Sequence, residues 1–425
     1  MHMLRTVLIT TALIFVTPLS ITAAEMPDVQ PLLDAGQLEE AERVLVEHLD
    51  THNQDHDARL ALGTVRMMQA VQQLSADFFS FGPQEFPLPL FRMSLPQNEA
   101  PEVIRHGDLQ RVFDRFVDRL DVVETTLAPI GDEPAKWVLC LDTVRLDLDG
   151  SGKAEDDEML APIINRLSRG ALQRERVEAE RRASTQPAMP PIDPKDYLTL
   201  IALDTTDAYW MRAYTHLLRG FADLYRAHNT RELFNRTGHL LFAKPDTPYP
   251  FLVPSSTRRL DFPQVADAIA LIHLINLPVE SPERMASSLG HFERAIVLSR
   301  EMWEAALAET DNDREWLPAP GQDSVIPARI NEARLKAWME TLDEAEAVLS
   351  GEKLIPFWRA ADPPLGVNLR RAFTEPQRFD LVLWVQGTGA APYLEADKPM
   401  TTGGFWRRIN RQFGGNLMGF AFFIN

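Results

Sequence analysis

The sequence predicts a mainly α protein, made of helical hairpins or a bundle, with a small β-containing part at the C-terminus. Over most of the chain, apolar residues recur every three to four positions, the spacing that places them on one face of a helix. Helix-start signals support this, as in Ser281-Pro282-Glu283, where a capping residue precedes Pro and an acidic residue. Beyond residue 350 two short apolar runs predict strands instead.

Residues 1–24 have the layout of a secretory signal peptide. Arg5 precedes an apolar run over residues 7–19, and Thr22 and Ala24 occupy the −3 and −1 positions of a cleavage site. The alternative is a membrane anchor, but the run is shorter than the roughly 20 apolar residues that span a bilayer, and Pro18 interrupts its end. We therefore expect a periplasmic or secreted protein with no membrane span after cleavage.

Composition limits the classes of partner. The chain carries 61 acidic and 43 basic residues, a net charge of −18. Nucleic acid and anionic membrane surfaces are poor partners for such a chain, whereas cations and basic surfaces are favoured. Cys140 is the single cysteine, which excludes an intramolecular disulfide.

The pattern divides the chain into segments. A helical region is predicted over residues 25–183, a Pro-rich linker or mobile loop over 184–194, a helical domain over 195–350 and an α+β segment over 351–425. Individual helices are predicted at 108–127, 204–227, from 281 onward, and at 327–349, and strands at 378–387 and 414–425.

The first helical region opens with two amphipathic segments joined by a polar turn. Their apolar residues are Leu38, Ala41, Val44, Leu45 and Leu49, followed by Leu60, Leu62, Val65, Met68 and Val71. The piece GQLEEA, residues 36–41, resembles the second helix of a tetratricopeptide repeat, where Gly opens the helix and a small Ala permits close packing. One copy does not make a repeat array. The resemblance therefore implies a single helical hairpin that caps something larger, with a protein or peptide as a possible partner.

The segment DLDGSGKAEDDE, residues 147–158, places oxygen-bearing residues at alternating positions around Gly152. It resembles an EF-hand calcium loop, which supplies ligands from positions 1, 3, 5, 7, 9 and 12 with Gly at position 6. The resemblance implies one bound calcium ion, with side-chain oxygens from five residues and the backbone carbonyl of the residue at position 7. These six are Asp147, Asp149, Ser151, Lys153, Glu155 and Glu158. The alternative is a turn formed because Asp-Gly and Ser-Gly favour turns.

Three features depart from the EF-hand pattern. Ala154 occupies position 8, where the family has a larger aliphatic residue; Pro162 interrupts the exit helix; and no second loop of this pattern occurs. We therefore expect a structural site of extracellular-type affinity, with a Kd of about 10⁻⁴ to 10⁻³ M.

Two histidine arrangements offer other chemistry. His48, His52 and His56 have the i, i+4, i+8 spacing of a metal-binding helix face, but a turn near residues 53–54 would break it. His216 and Asp223 lie two turns apart on one predicted helix and could form a catalytic pair, or a satisfied buried histidine.

The sequence contains no HExxH, GxSxG, P-loop, GxGxxG or CxxC motif. Two hypotheses remain: a calcium-binding helical protein with a binding or scaffolding role, and a periplasmic hydrolase whose active site cannot be recognised from sequence. No catalytic residue is assigned.

Overall fold

The fold was analysed in a computed structural model that describes residues 25–84, 97–160, 200–253, 262–312, 315–322, 330–361 and 364–424. It is mainly helical with small antiparallel sheets, some of them near the C-terminus, which confirms the predicted fold class. The predicted signal peptide and the linker at 184–194 lie outside the described residues. Among the described helices, none combines the length and apolar character needed to cross a membrane.

The first region contains α1 (Gln30–Asp34), α2 (Leu38–Thr51), α3 (His56–Ser80) and α4 (His106–Leu127). A short turn joins α2 to α3, and Asp55 caps α3 by accepting a hydrogen bond from the backbone N–H of Ala58 at 2.9 Å. The predicted apolar positions Leu38, Ala41, Leu45 and Leu49 are buried in a core shared with α3 and α4. Val71, by contrast, is 37% exposed.

A two-stranded sheet connects the segments on either side of residues 184–194. Strand β1 (Lys136–Cys140) pairs antiparallel with β2 (Leu200–Asp204), with Lys136 opposite Asp204. Asp204 ends β2 and, as the N-cap residue, begins α5 (Thr205–Arg226), which packs against α4. The two predicted helical regions therefore share a sheet and a helix interface.

After α5 come α6 (Arg231–Thr237), α7 (Phe262–Leu274), β3 (Asn276–Leu277) and α8 (Pro282–Ala308). Helices α5 and α8 run antiparallel in close contact, since Ser288 donates a hydrogen bond to the carbonyl oxygen of Gly220 at 2.8 Å. A Cβ at Gly220 would lie 2.6 Å from the ring of Phe292, so only glycine permits this approach. Helix α9 (Glu332–Leu349) then packs against α8 and ends before Gly351, as predicted.

The C-terminal part contains β4 (Ile355–Ala361), β5 (Pro364–Val367), α10 (Leu369–Thr374), β6 (Phe379–Asp380), α11 (Leu381–Gln386), β7 (Leu394–Glu395), α12 (Gly403–Gln412) and α13 (Leu417–Ile424). Strands β4, β5 and β7 form one antiparallel sheet in that order, and β3 pairs with β6.

Of the two strands predicted near the C-terminus, the first is confirmed only at β6 and the second is wrong. In residues 378–387 only β6 is extended; the Asp380 side chain then caps α11 by accepting from Leu383 N–H at 2.9 Å, and Gly387, with φ of 111°, ends the helix. Residues 414–424 form a turn and α13, whose buried Leu417 and Phe420 are three positions apart, a helical spacing.

Candidate metal centre and acidic cleft

The loop of residues 147–158 is closed at its base by a short extended contact. Arg145 bridges Met159 antiparallel, a 3₁₀ turn at Leu141–Thr143 leads in from β1, and another at Asp156–Glu158 leads out. The incoming segment is therefore not the helix that an EF-hand would have. The exit side beyond residue 160 lies outside the described residues.

Backbone N–H groups hold the two aspartates at the start of the loop. Asp147 accepts hydrogen bonds from Ser151 N at 2.9 Å and Gly152 N at 2.8 Å, and Asp149 accepts from Ser151 N at 2.9 Å. Gly152 has φ of 85°, a left-handed conformation that favours glycine. The turn thus fixes both carboxylates facing its interior.

Glu158 closes the loop from a buried position, with 4% of its surface exposed. Its carboxylate accepts from Leu148 N at 2.8 Å and Asp149 N at 3.2 Å through one oxygen, and from Glu155 N at 2.8 Å through the other. Burial raises the pKa of Glu158 above its usual range, although these backbone donors oppose the shift and the Asp149 charge adds to it. The ionised form of Glu158 is therefore destabilised by burial, and a cation bound beside it would stabilise that form.

Three of the six predicted residues bring carboxylate oxygens close together. Ligand oxygens of Asp147, Asp149 and Glu158 all lie within 4.8 Å of one another. Ser151 Oγ lies 3.4 Å from Asp147 Oδ1 and donates to the backbone carbonyl of Lys153 at 3.0 Å.

The sixth predicted ligand, Glu155, is exposed, and its carboxylate accepts from Lys153 Nζ at 2.8 Å. Its side chain is thus held by an ion pair on the surface. The neighbouring Lys153 side chain competes for it with any cation in the loop.

The loop packs between the turn after α1 and the middle of α3. Asp147 N donates to Gln72 Oε1 on α3 at 3.0 Å, while a Cβ at Gly36 would lie 2.5 Å from the Cβ of Ala154. Position 8 of the loop is therefore small because it faces a backbone. This contact explains the departure of Ala154 from the EF-hand pattern.

The predicted cluster of three histidines does not form a metal face. The turn between α2 and α3 separates His56 from the other two, His48 Nε2 contacts Asp55 Oδ2 at 2.7 Å, and the His48 and His52 rings stack at 4.6 Å. The predicted turn near residues 53–54 is confirmed.

His216 and Asp223 are not brought together as a pair. His216 Nδ1 lies 2.8 Å from His291 Nδ1 on α8, whereas Asp223 accepts from Arg284 Nη1 at 2.9 Å and Ser287 Oγ at 2.7 Å. Neither residue lines the cleft described next. No local sequence pattern links His291 to His216, because 75 residues separate them.

A cleft of about 850 Å³ lies where β1, the start of α5 and the end of α8 meet. Among its described lining residues Lys136 is the one basic side chain, and it pairs with Asp311 at 2.9 Å. The acidic lining residues are Asp57, Asp132, Asp204, Glu301, Glu304, Glu309 and Asp311. Such a cleft attracts cationic groups and repels anions.

At one end of this cleft, carboxyl oxygens of Asp204, Glu309 and the buried Glu315 lie within 4.8 Å of one another. Burial, together with the negative charge of Glu309, raises the pKa of Asp204 to about 7. Burial and the Asp204 charge raise the pKa of the neighbouring Asp207 well above its usual range. These groups could share protons or hold a cation.

Sequence reasoning missed this cluster. Asp204 and Glu309 lie on segments 105 positions apart, and no local motif connects them. A hint existed in the acidic residues Asp204 and Asp207 at the predicted helix start, but their capping role accounts for them equally well.

The chain matches no protein-family model, and we find no significant similarity to any curated protein or solved structure.

Proposed function

We propose that this chain is an exported helical protein that binds one calcium ion in the loop of residues 147–158, with a binding or scaffolding role. The observation that carries the proposal is the convergence of carboxylate oxygens from Asp147, Asp149 and Glu158 within 4.8 Å, inside a turn with EF-hand spacing. Ser151 Oγ and the Lys153 carbonyl extend this set to five residues. Calcium takes six to eight oxygens, so water and Glu155 would complete the shell.

The position of the loop supports a structural role for the ion. One side of the loop contacts α3 through Gln72, and the other contacts the turn before α2 through Gly36. Calcium would neutralise repulsion between the loop carboxylates and thereby hold these two helical segments together. It would act as a clasp and not as a switch that opens a helix pair.

Scaffolding by an exposed apolar groove on the hairpin has no support in the described residues of α2 and α3. Val71 is the one large apolar side chain of these two helices that is substantially exposed. The faces of α2 and α3 that carry the other predicted apolar residues pack into the core. A partner would therefore bind elsewhere on the molecule.

Calcium titration of the chelator-stripped protein, followed by its melting temperature, tests the proposal. With a Kd of about 10⁻⁴ to 10⁻³ M, about 10 mM calcium should stabilise the protein by about 1.4 to 2.7 kcal/mol. Mg²⁺ at the same concentration should stabilise it less, since it requires stricter octahedral geometry.

Two variants and a control make the test specific. Asp147→Ala with Glu158→Gln should remove the calcium-dependent rise, and so should Asp149→Ala, which deletes a ligand oxygen. Asp157→Asn removes the same charge from an exposed residue of the same loop at a position without a ligand role, and should keep the rise. A rise that survives in Asp147→Ala with Glu158→Gln, or no rise in the unmodified protein, would contradict the proposal.

As a second candidate function, we infer hydrolysis by acid–base catalysis in the acidic cleft. The specific observation is Asp204, whose pKa of about 7 leaves it partly protonated at neutral pH, next to Glu309 and open to the cleft. One such carboxyl can donate a proton while its neighbour accepts one. The surrounding charge favours a cationic or neutral substrate.

Turnover of chromogenic glycosides and esters between pH 5 and pH 8 tests this second candidate. Activity should be lost in Asp204→Asn and retained in Glu304→Gln, which removes an exposed carboxylate from the same cleft. Equal activity in both variants would exclude Asp204 as the catalytic acid.

A further inference from the structure

Two histidines meet inside the antiparallel pair of helices α5 and α8. His216 Nδ1 and His291 Nδ1 are 2.8 Å apart, which is hydrogen-bonding distance, and both side chains are mostly buried. We call these two residues the His216–His291 pair. On the far side of each ring stands a carboxylate: Glu124 lies 3.7 Å from His216 Nε2, and Asp223 lies 3.9 Å from His291 Nε2.

This distance limits the number of protons between the rings to one. With none, two nitrogen lone pairs would face each other; with two, two N–H groups would collide. One proton lets one ring donate and the other accept. Glu124 and Asp223 face the Nε2 atoms of the two rings and favour protons there.

The surrounding charges decide which ring holds the shared proton. From α4, Glu124 sits beside His216, and Asp121 pairs with Arg219 of α5 at 3.0 Å. Burial raises the pKa of Glu124, but the contact with His216 and the hydrogen bonds from Arg212 outweigh burial and lower it to about 2. Glu124 thus stays ionised beside His216.

The surroundings of His291 disfavour a positive charge on its ring. Burial, then the positive charges of Arg219 and His216, lower the pKa of His291 to about 4, against the smaller influence of Asp223 and Asp121.

The cations near Asp223 weaken its effect further, since it pairs with Arg284 at 2.9 Å on α8 and with Arg226 at 3.6 Å on α5. From α10, Arg370 pairs with Glu293 at 2.7 Å. The local charges thus favour a neutral His291 as the acceptor of the pair, which leaves His216 as the donor.

We propose that the His216–His291 pair is a proton-dependent connection between α5 and α8, held by one shared proton and broken when a second proton binds. A second proton would turn the acceptor nitrogen of His291 into a donor and place two positive rings in contact. The helices cannot move apart to relieve this repulsion without losing the tight contact at Gly220. The repulsion therefore destabilises the interface between α5 and α8. The connection between α5 and α8 therefore weakens when the pH falls.

The sign of the pH dependence follows. Because the pKa of His291 is lowered on folding, the unfolded chain binds the extra proton first as the pH falls. The stability contributed by a neutral His291 is complete above pH 6.5 and is lost as the pH falls through about 4.

Nitrogen NMR of the ¹⁵N-histidine-labelled full chain tests the proposal directly. The expected result is a neutral His291 ring, with its proton on Nε2 and none of its own on Nδ1, which titrates well below pH 6.5. Normal titration of both rings near pH 6.5 would overturn the proposal. So would chemical-shift changes of both Nδ1 atoms on addition of Zn²⁺, because a metal ion would then take the place of the proton.

A stability measurement gives an independent readout. His291→Asn keeps an oxygen to accept from His216 but cannot be protonated, so the melting temperature should fall less between pH 6.5 and pH 4.5 than in the unmodified protein. His273→Asn changes an exposed histidine on α7 and should leave the fall unchanged. An unchanged fall in His291→Asn would also overturn the proposal.

Discussion

The molecule contains two groups of carboxylates that differ in how they are held. In the loop of residues 147–158, backbone N–H groups within twelve positions of one another hold Asp147, Asp149 and Glu158. In the cleft, Asp204 and Glu309 come from distant segments and raise each other's energy by repulsion. The first group is organised by its own turn, and the second by the packing of α5 against α8.

This difference shows why acidic spacing alone does not define a cation site. The loop supplies donors to each carboxylate before any ion arrives, so its geometry is prepared for a ligand. Asp204 in the cleft instead lowers its energy by keeping a proton near neutral pH. The loop should therefore respond to calcium, and the cleft to pH.

The largest expected effect comes from Asp204→Asn, which tests the cost of the charge in the cleft. A pKa raised from 3.8 to about 7 means that the stability contributed by Asp204 is present below pH 3.8 and lost as the pH rises through 7. This change corresponds to at most about 4 kcal/mol. Asparagine cannot ionise and still accepts from Thr206 N, so the variant should be more stable than the unmodified protein at pH 8 and similar to it near pH 4.

Urea unfolding at the two pH values measures this difference. Glu304→Gln is the matched control, because it removes an exposed carboxylate from the same cleft and should change stability little at either pH. A destabilised Asp204→Asn at pH 8 would show that Asp204 is held as an anion, for instance by a cation.

An intermediate effect is expected from Gly36→Ala, which tests how much the contact between Gly36 and the loop of residues 147–158 stabilises the protein. Gly36 has φ of 69°, and a new Cβ would meet Ala154 at 2.5 Å, so the substitution adds backbone strain to a clash. Unfolding free energy should fall by about 1 to 3 kcal/mol, and calcium affinity should fall with it.

Gly290→Ala provides the opposite control. Gly290 lies inside α8 with open space around its Cβ position, so alanine should stabilise the helix by about 0.5 to 1 kcal/mol. If Gly36→Ala behaves like this control, the loop does not depend on its contact with the turn before α2.

The smallest effect is expected from Lys153→Gln. Lys153 would coordinate only through its backbone carbonyl, while its Nζ holds the Glu155 carboxylate at 2.8 Å. Removing this exposed ion pair frees Glu155 for the ion, and calcium affinity should rise about two- to threefold, since exposed pairs contribute well under about 1 kcal/mol. Calorimetric titration measures the change, and weaker binding would show that the Glu155 side chain takes no part.

Where local pattern sufficed, the sequence predicted the structure well. The apolar positions of α2, the long helix at 204–227 and the stop at Gly351 follow from helical periodicity and terminal signals that act over a few residues. The convergence of the loop oxygens also follows from local spacing.

The strand prediction at residues 378–387 failed because we weighted the apolar run over the helix-end residues on either side of it. The apolar run at residues 381–386 suggested a buried strand, yet Asp380 and Gly387 mark the two ends of a short helix whose Val385 is 68% exposed. The cleft and the His216–His291 pair could not be predicted, because helix packing brings together residues 75 to 105 positions apart.

The contacts of α1 have a consequence for the order in which the chain folds. Gln30 exchanges hydrogen bonds with the backbone of Cys140, at 3.0 Å and 2.8 Å, across a separation of 110 residues. Arg145 N likewise donates to the carbonyl of Leu33 at 3.1 Å. During synthesis the leading segment therefore waits for more than a hundred further residues before its partners exist, and the first core closes late.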